Sequence, residues 1–462
     1  MAAYDLVVIG SGAAGQTAAT TAVRGGASRV AIVEQGPVWG TCVNTGCIPS
    51  KFLLALAEYH YYRNHGHAGL TMESRFNLYV ALAEKEALIG QLKQKKTDRL
   101  IAGLGIEMIE GTAVFSSPHE LLVGSRAVTA DRVIIATGSS PVVPPLPGIR
   151  EVPIMTNVEA LSPDRIPESL VVIGGRALGL EFAQLYAHLG TKVTLLQRSA
   201  RILPEEEPEL ADLLAGCLRE EGIGIRTGAE IRGVEKTPAG VEVSVATGGT
   251  VEKIPAERLL LATGRSPNTR GLGLDRAGVK TGPGGAVVVD TMLRTSSPSV
   301  WAAGDVTGEP MLETAARYAG EIAALNAFSE LKRSFDRSFI PRGVFTTPQL
   351  ASVGLTEAKA REAGLDPETR TLRMEELARS RMTGDSRGMV KIVVGRMDDC
   401  VLGVHVCAPL ATEILQASVL AVSRHLPVHD LAEMYHIFPT AGEAIAICAR
   451  RFRDGNGGNC RV

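Results

Sequence analysis

The sequence predicts an α/β protein with two parallel-sheet units and a C-terminal α+β domain, and three observations support this. Two apolar runs, at residues 4–9 and 169–173, each lead through a glycine-rich turn into a helical pattern. Beyond Pro341, strand patterns such as residues 390–394 alternate with apolar helical patterns such as residues 413–422. Because a strand, a glycine turn and a helix in this order build a parallel βαβ unit, we expect two such units.

The first glycine turn matches a dinucleotide-binding fingerprint. Its residues are Gly10, Gly12, Ala13, Ala14 and Gly15. Gly10 permits the tight turn, Gly12 lets backbone amides approach a pyrophosphate, and Gly15 lets the helix pack on the strand. The helix N-terminus adds partial positive charge. Glu34 ends the next strand, where a carboxylate binds a ribose hydroxyl, so we predict a dinucleotide site here.

The second turn departs from the fingerprint in its middle. Its outer glycines are Gly174 and Gly179. Arg176 stands where the middle glycine belongs, and the following strand ends in Gln197 and Arg198 instead of a carboxylate. Because a ribose 2′-phosphate would be attracted to Arg198, with Arg201 nearby, we predict NADPH in preference to NADH. The alternative is that Arg198 is an ordinary solvated arginine.

A pair of cysteines follows the first unit, in the run Gly40-Thr41-Cys42-Val-Asn-Thr-Gly-Cys47-Ile-Pro-Ser-Lys51. A dithiol beside a dinucleotide site can accept electrons from a reduced flavin and pass them to a soft substrate. We therefore interpret Cys42 and Cys47 as a redox-active pair. The alternative, a disulfide that only staples a loop, is uncommon in a reducing compartment.

Three shorter motifs follow in a set order. They are Ala136-Thr137-Gly138, Ala262-Thr263-Gly264-Arg265-Ser266-Pro267-Asn268 and Ala302-Ala303-Gly304-Asp305. Together with the glycine turns and the cysteine run, they make the whole chain resemble the flavoprotein pyridine nucleotide-disulfide oxidoreductases. This is the group of lipoamide dehydrogenase, glutathione reductase and mercuric reductase. The resemblance implies two Rossmann-like domains for FAD and NADPH, and a homodimer whose active sites are shared between subunits through an antiparallel C-terminal sheet.

The resemblance also implies roles for individual residues. Asp305 would contact the flavin ribityl chain, and Lys51 would pair with Glu181 near the reactive flavin nitrogen. Cys47 would lie against the flavin as a thiolate, at the start of a helix that we expect to begin around Ser50. A helix N-terminus and a nearby cation both stabilise a thiolate. Cys42 would face the substrate and carry out the exchange.

The C-terminal motif separates substrate classes. Family members that reduce organic disulfides have a histidine before Pro-Thr as acid and base, followed by a glutamate. Here Phe438 stands at the histidine position, while Glu443 is retained. Phenylalanine cannot carry a proton, and loss of a general acid or base costs about two to four powers of ten in rate. His436 is the nearest substitute, although two residues of extended chain displace its ring by roughly 7 Å.

Mercuric reductases also carry an aromatic residue, a tyrosine, at that position. Residues 343–354 and 374–391 resemble them as well, and we expect a catalytic core without their N-terminal metal-binding domain. The resemblance implies reduction of Hg(II), held by soft thiolates. The metal-binding residues would be Cys42, Cys47 and Cys460. Mercuric reductases end in two adjacent cysteines, whereas this tail has one, for which Cys448 or a small cellular thiol could supply the second thiolate.

Two other functions remain open from the sequence. One is reduction of an organic disulfide or lipoyl substrate, as in dihydrolipoamide dehydrogenases, and this requires a substitute for the missing histidine. The other is a flavin-bound redox sensor, in which Arg176 disables the nicotinamide site.

Length and charge set further bounds. The 462 residues suggest three domains: FAD-binding (1–147 and 269–340), NAD(P)H-binding (148–268) and C-terminal dimerisation (341–462). A formal net charge of -2 gives no electrostatic case for nucleic acid. Seven cysteines with one motif, no leader pattern and no long apolar run predict a cytoplasmic protein without a membrane span.

Overall fold

The structure, a computed structural model, describes residues 3–65, 73–308, 310–330 and 332–453. Strands and helices are both distributed along the whole of this described chain. The strands are β1 (Tyr4–Ile9), β2 (Val30–Glu34), β3 (Glu107–Glu110), β4 (Ala113–Ser117), β5 (Glu120–Val123), β6 (Arg126–Ile135), β7 (Ser139–Pro141), β8 (Ile154–Met155), β9 (Ser169–Ile173), β10 (Lys192–Gln197), β11 (Gly224–Thr227), β12 (Glu230–Thr237), β13 (Gly240–Thr247), β14 (Thr250–Ala256), β15 (Arg258–Leu261), β16 (Arg265–Pro267), β17 (Val300–Ala302), β18 (Arg342–Val344), β19 (Gln349–Gly354), β20 (Pro367–Arg373), β21 (Met389–Gly395) and β22 (Val401–Ala408).

The α-helices range from short turns to helices of 19 and 20 residues. They are α1 (Ala13–Arg24), α2 (Gly40–Asn44), α3 (Cys47–His65), α4 (Leu78–Thr97), α5 (Asn157–Ala160), α6 (Ala177–His188), α7 (Pro208–Glu220), α8 (Glu313–Phe328), α9 (Glu357–Glu362), α10 (Ala378–Thr383), α11 (Ala411–Ile414), α12 (Gln416–Ser423), α13 (Val428–Glu433) and α14 (Glu443–Arg450). The mixed α/β class predicted from the sequence is confirmed.

The chain divides into two compact units, each assembled from separate segments. Unit 1 contains Met1–Phe52, Tyr79–Val142 and Gly264–Arg337. Unit 2 contains Leu53–Leu78, Val143–Thr263 and Ser338–Val462. The three domain boundaries given above remain a prediction.

Unit 1 is built on a seven-stranded sheet. The parallel strands follow the order β3-β2-β1-β6-β17, and β5 and β4 extend the sheet antiparallel from β6. β1 and β2 are almost entirely buried, as expected for parallel strands covered on both faces. α1 packs on α8 so closely that a Cβ on Gly320 would lie 2.2 Å from the carbonyl oxygen of Ala14. This packing orients the first glycine turn.

Unit 2 contains a second parallel sheet, in the order β11-β10-β9-β15-β8. The antiparallel strands β12, β13 and β14 form a separate three-stranded sheet. β9 and β10 are the apolar strands on either side of the second glycine turn, as the sequence predicts. Each glycine turn therefore lies at the carboxyl end of a parallel strand, where open α/β sheets bind ligands.

The C-terminal part of unit 2 is an antiparallel sheet in the order β18-β19-β22-β21-β20. The antiparallel arrangement implied by the family resemblance is confirmed. The apolar pattern at residues 413–422 forms two helices, α11 and α12, separated at Leu415, rather than one. Within the described ranges, no helix combines the length and apolar character that crossing a membrane requires.

A buried lysine links this sheet to the helices of unit 2. Lys391 on β21 is 3% exposed and its Nζ donates to Glu207, Glu209 and Glu357 at 2.9, 2.9 and 3.0 Å. Three carboxylates around one ammonium compensate for the cost of burying it, and they raise the pKa of Lys391 despite its burial. Removing Lys391 would leave these carboxylates facing one another, so the cluster fixes how α7 and α9 lie on the sheet.

Candidate active site

The first glycine turn has the geometry of a phosphate-binding site. Gly10 has a φ of 105°, and a Cβ there would lie 2.4 Å from the carbonyl oxygen of Ala136. No side chain caps the first turn of α1, whose backbone amides are left to bind an anion. Glu34 accepts hydrogen bonds from the amide of Ser11 at 2.9 Å and from its hydroxyl at 2.7 Å. The carboxylate is thereby held at the turn.

The cysteine run packs directly against this turn. A Cβ on Gly40 would lie 2.5 Å from Cα of Gly12, so the two glycine backbones are in contact. Thr41 follows Gly40 in α2, and Asn44 closes this helix by donating from Nδ2 to the carbonyl oxygen of Gly40 at 2.8 Å. The turn that would hold the pyrophosphate and the helix that carries Cys42 are therefore one rigid assembly.

Cys42 and Cys47 are free, partly buried and hydrogen-bonded to each other through their thiols. This hydrogen bond, together with burial, raises the pKa of Cys42, and the same bond lowers the pKa of Cys47. Lys51 on the next turn of α3 also lowers the pKa of Cys47. α3 begins at Cys47 itself, so the expectation of a start around Ser50 is wrong. Within the coupled pair, these effects favour a thiolate at Cys47 over one at Cys42.

A second polar group in unit 1 surrounds Asp305. The hydroxyl of Ser139 donates to Asp305 Oδ2 at 2.6 Å, and Arg265 donates from Nε to the same hydroxyl at 2.7 Å. Burial lowers the pKa of Arg265, while Asp305 and Cys47 raise it. Sequence reasoning missed Ser139, although its place directly after Ala136-Thr137-Gly138 was a usable signal.

The remaining motif residues shape the same region of unit 1. Thr137 donates its hydroxyl to the carbonyl oxygen of Asn268 at 2.7 Å, which joins two of the motifs. Gly138 and Gly264 both have positive φ and open space where a side chain would project. Gly304, just before Asp305, packs closely on Ala14 of α1. A Cβ placed on Gly304 would lie 3.0 Å from Cβ of Ala14. The motifs predicted to bind cofactor are thus gathered around the first turn.

The second glycine turn, in unit 2, reproduces the first. The amide of Gly175 donates to Gln197 Oε1 at 2.9 Å, so this amide side chain occupies the place that Glu34 has in unit 1. Arg198 is exposed and makes no hydrogen bond or ion pair with the described chain. Arg201, by contrast, is paired with Asp212 at 3.2 Å. Arg176 points outward and lies 3.6 Å from Glu205.

Glu181 lies on α6 and is buried. Its Oε1 accepts a hydrogen bond from the amide of Phe345 at 2.9 Å, which holds the carboxylate in one place. The ion pair between Lys51 and Glu181 stays a prediction.

The C-terminal motif lies at the surface of unit 2. Tyr435, Ile437 and Phe438 are 101%, 81% and 69% exposed. His436 has the opposite orientation, because its Nε2 is buried and without a hydrogen-bond partner in the described chain. It lines a cavity of about 490 Å³ together with Glu443, whose Oε2 accepts from the amide of Thr440 at 3.0 Å. The aromatic residue and the nearby histidine therefore have separate environments.

The sequence suggests two further cysteines, Cys448 and Cys460, for metal transfer. Cys448 is fully buried in the C-terminal core, and burial raises its pKa to about 12. Its Sγ donates to the carbonyl oxygen of Arg370 at 3.4 Å. A buried, protonated thiol cannot collect a metal ion, so the suggestion that Cys448 assists the tail is wrong. Cys460 lies outside the described residues.

These features define an oxidoreductase with two dinucleotide sites and a redox-active dithiol. Residues 4–320 match the pyridine nucleotide-disulphide oxidoreductase family, and residues 340–448 match its dimerisation domain. The chain belongs to this family. The dimerisation domain supports a homodimer.

The chain is similar to proteins of more than one activity. A mercuric reductase of Streptomyces lividans is 40% identical over 461 residues, covering 97% of this chain and 96% of the relative. A dihydrolipoyl dehydrogenase of Thermus scotoductus is 37% identical over 450 residues, or 96% of each chain. A Cu(II) complex of the HOCl-induced flavoprotein disulfide reductase RclA from Escherichia coli has a TM-score of 0.87 at 31% identity, covering 98% of this chain and 100% of that chain.

The cofactors of this family are FAD and NADPH, and the two glycine turns fit them. At the first turn, a Cβ on Gly12 would meet only Cα of Gly40 at 4.0 Å, which leaves space for a pyrophosphate to approach the backbone. At the second, the N-terminus of α6 is also uncapped by any side chain. Gly12 and Glu34 would hold FAD, and Arg198 would hold the 2′-phosphate of NADPH.

Proposed function

We propose that this protein is an NADPH-dependent reductase of Hg(II). The observation that carries the proposal is the exposed ring of Phe438 at the position of the family's acid-base histidine. An organic disulfide releases a thiolate that must be protonated, whereas a metal ion reduced between two thiolates leaves as a neutral atom. The missing proton donor is therefore a large disadvantage for a disulfide substrate and a small one for a metal.

The cysteine pair suits a soft, two-coordinate ion. Bound FAD would supply the two electrons that it takes from NADPH. Cys42 and Cys47 are partly buried and close enough to share a hydrogen bond, so both sulfurs can ligate one ion. Within the described ranges, no group of three or more His, Cys, Asp or Glu side chains could hold a metal, so two-thiolate binding is the mode that these residues support.

Similarity to the mercuric reductase of Streptomyces lividans along nearly the whole chain supports the same substrate. We further propose that the exposed side chains of Tyr435, Ile437 and Phe438 face the cysteine pair of the partner subunit. Three large exposed apolar side chains in one short segment are typical of an interaction surface. Cys460 in the tail would bring the ion to that shared site.

The test is NADPH oxidation by the purified, flavin-loaded protein. One reaction contains HgCl2 with excess small thiol, and the others contain lipoamide or glutathione disulfide. We expect turnover with mercury, reduced by at least about a hundredfold in Cys42→Ser because the exchange thiol is lost. Cys400→Ser removes a cysteine that is remote in sequence from the motif and should retain full activity. Turnover with a disulfide and none with mercury contradicts the proposal.

Reduction of an organic disulfide is the second candidate, and His436 is the observation that favours it. Its buried, unpartnered Nε2 shares a cavity with Glu443, an arrangement that could transfer a proton. His436→Gln should then abolish disulfide turnover and leave mercury turnover unchanged. Phe438→His restores the base of the family, and under the mercury proposal it should raise disulfide turnover by about tenfold or more.

A redox sensor without turnover is the remaining alternative. It requires that NADPH fail to bleach the flavin. Bleaching on addition of NADPH, followed by reoxidation with the substrate, excludes it.

A further inference from the structure

The segment between β10 and α7, residues 198–207, is tied to the second glycine turn. It begins with Arg198, the predicted partner of the 2′-phosphate. In its middle, the amide of Leu203 donates to the carbonyl oxygen of Gly175 at 2.9 Å. The amide of Gly175 donates in turn to Gln197 Oε1 at 2.9 Å, directly before the segment. The 198–207 segment and the glycine turn therefore depend on each other for their shape.

The conformation of the 198–207 segment requires support from outside it. The segment consists of bends and turns, and Leu203 has a φ of 43°. A leucine adopts this left-handed conformation only at an energetic cost, which the surrounding structure has to offset. Ile202, Leu203, Glu206 and Glu207 are all buried. The contacts of these buried side chains thus decide where the segment lies.

Four polar side chains form a row across the C-terminal sheet. Arg342 on β18, Ser352 on β19, His405 on β22 and Lys391 on β21 lie opposite one another in register. Side chains opposite each other on neighbouring strands project from the same face of a sheet. Ser352, His405 and Lys391 are almost completely buried. Buried polar groups need partners, and here a segment outside the sheet provides them.

Glu206 and Glu207, at the end of the segment, are partners of this row. Nε of Arg342 donates to Glu206 Oε1 at 2.8 Å, and Nζ of Lys391 donates to Glu207 Oε2 at 2.9 Å. Between them, Nδ1 of His405 lies 3.9 Å from Glu206 Oε2. Burial raises the pKa of Glu206, but His405 and Arg342 lower it to about 2. Two charge-assisted hydrogen bonds therefore fasten the end of the segment to the C-terminal sheet.

We propose that Arg342 is a positioning residue for the NADPH site. Through Glu206 it holds the 198–207 segment, and with it Arg198, in the geometry that binds the 2′-phosphate. The segment is fixed at Gly175 and at Glu206, and all of these residues belong to unit 2. Release of the second point frees Arg198 but leaves the glycine turn in place. The C-terminal sheet thus takes part in selecting the nucleotide.

This inference rests on the use of NADPH in the proposed function but not on Hg(II). Its test is equilibrium binding of 2′,5′-ADP and 5′-AMP, two nucleotides that differ only in the 2′-phosphate. Neither is a redox substrate, so a failure of mercury turnover leaves the test intact. Equal affinity of the wild type for both nucleotides would overturn the NADPH preference and this inference with it. A preference that survives unchanged in the variants overturns this inference alone.

Isothermal titration calorimetry of the flavin-loaded protein measures both dissociation constants. In Arg342→Met we expect Kd for 2′,5′-ADP to rise by about tenfold, because the charge-assisted contact of Arg198 is displaced, and Kd for 5′-AMP to change by less than about threefold. A variant that only loosened the fold would weaken both nucleotides equally, and this result would contradict the proposal.

Arg370→Met is the matched control. Arg370 is on β20, at the opposite edge of the same sheet from β18. Its side chain is 30% exposed against 29% for Arg342, and it is likewise paired with a glutamate, Glu368. This variant should bind both nucleotides like the wild type. A selective loss of 2′,5′-ADP in Arg370→Met as large as that in Arg342→Met overturns the proposal.

Two further variants test the ion pair from both sides. Arg342→Lys keeps a cation beside Glu206 and should restore Kd for 2′,5′-ADP to within about threefold of the wild type. Glu206→Gln removes the charge of the partner and should weaken 2′,5′-ADP selectively, as Arg342→Met does. An unchanged ratio of the two dissociation constants in Arg342→Met and Glu206→Gln overturns the proposal. If Arg342→Met does not fold, the ratio in Glu206→Gln decides alone.

Discussion

The two glycine turns of this protein agree in their outer positions and differ in the middle. Gly10 and Gly174 have φ values of 105° and 119°. A Cβ on Gly15 or Gly179 would lie 1.9 or 1.8 Å from the carbonyl oxygen of the first glycine. No side chain fits that gap, because the helix crosses the strand at van der Waals distance there. The fold itself requires these glycines.

The middle position has no such requirement. Gly12 has a φ of -67° and Arg176 a φ of -97°, both in conformations open to any residue. Arginine therefore replaces glycine without strain, and its side chain points into solvent. A glycine is needed at this position only where a ligand must approach the backbone.

In each unit, the side chain at the end of the strand that follows the glycine turn accepts the same hydrogen bond, but the two side chains differ in charge. Glu34 accepts from the amide of Ser11 and Gln197 from that of Gly175, both at 2.9 Å. A carboxylate at the first site suits a ribose hydroxyl, and a neutral amide beside Arg198 suits a ribose phosphate. The comparison shows that the backbone builds the turn and the side-chain charge selects the nucleotide.

The largest expected effect is at the outer glycines. Gly15→Ala places a methyl carbon on the carbonyl oxygen of Gly10, so α1 must move away from β1. Overpacking of this kind costs about 1–3 kcal/mol or more. We expect loss of bound flavin and a lower Tm, measured from flavin absorbance and thermal unfolding. In Gly12→Ala, the atom nearest to the new Cβ lies 4.0 Å away, so this variant should fold normally and lose only its affinity for flavin. A Gly15→Ala variant with normal flavin content would contradict this account.

Arg198 should account for the nucleotide preference. Removing one charge-assisted hydrogen bond costs about 1.5–3 kcal/mol, so Arg198→Ala should raise KM for NADPH by about 10- to 100-fold. KM for NADH should be unchanged. Arg201→Ala is the control, since Arg201 is already paired with Asp212 and should have a smaller effect. Equal changes for both nucleotides would mean that Arg198 does not contact the 2′-phosphate.

Gln197→Glu tests the charge at the strand end directly. The carboxylate can still accept the Gly175 amide, so stability should be preserved, but it repels a 2′-phosphate. We expect the ratio of kcat/KM for NADPH over NADH to fall by about tenfold, or roughly 1.4 kcal/mol. Steady-state kinetics with both nucleotides measure this ratio. An unchanged ratio would mean that the charge at position 197 does not select the nucleotide.

The smallest effect is expected at Arg176. Its ion pair with Glu205 is partly exposed, with 62% and 29% of the side chains accessible, so it contributes about 1 kcal/mol. Arg176→Gly should shift KM for NADPH by less than about threefold and leave flavin bleaching intact. If bleaching by NADPH improves greatly, Arg176 obstructs the site, as the sensor alternative requires.

Much of the fold and part of the site were predictable from the sequence. Tyr4–Ile9 and Lys192–Gln197 are strands as expected, because a short apolar run between turn signals is a local pattern. The start of α3 at Cys47 was not predictable from the sequence, because Gly46 and Pro49 obscure the helix boundary. Nor was the break at Leu415, which local hydrophobicity does not reveal.

By itself, the sequence determined the α/β class, the two turns, the cysteine pair and the absence of a histidine at Phe438, all of which are carried by neighbouring residues. Only the tertiary structure decided which side chains meet across the chain. It buried Cys448 in the core of the C-terminal sheet and paired Arg201 with Asp212. It also joined Lys96 on α4 to Gln16 on α1, 80 residues away. Such contacts depend on packing between distant segments, which residue spacing does not encode.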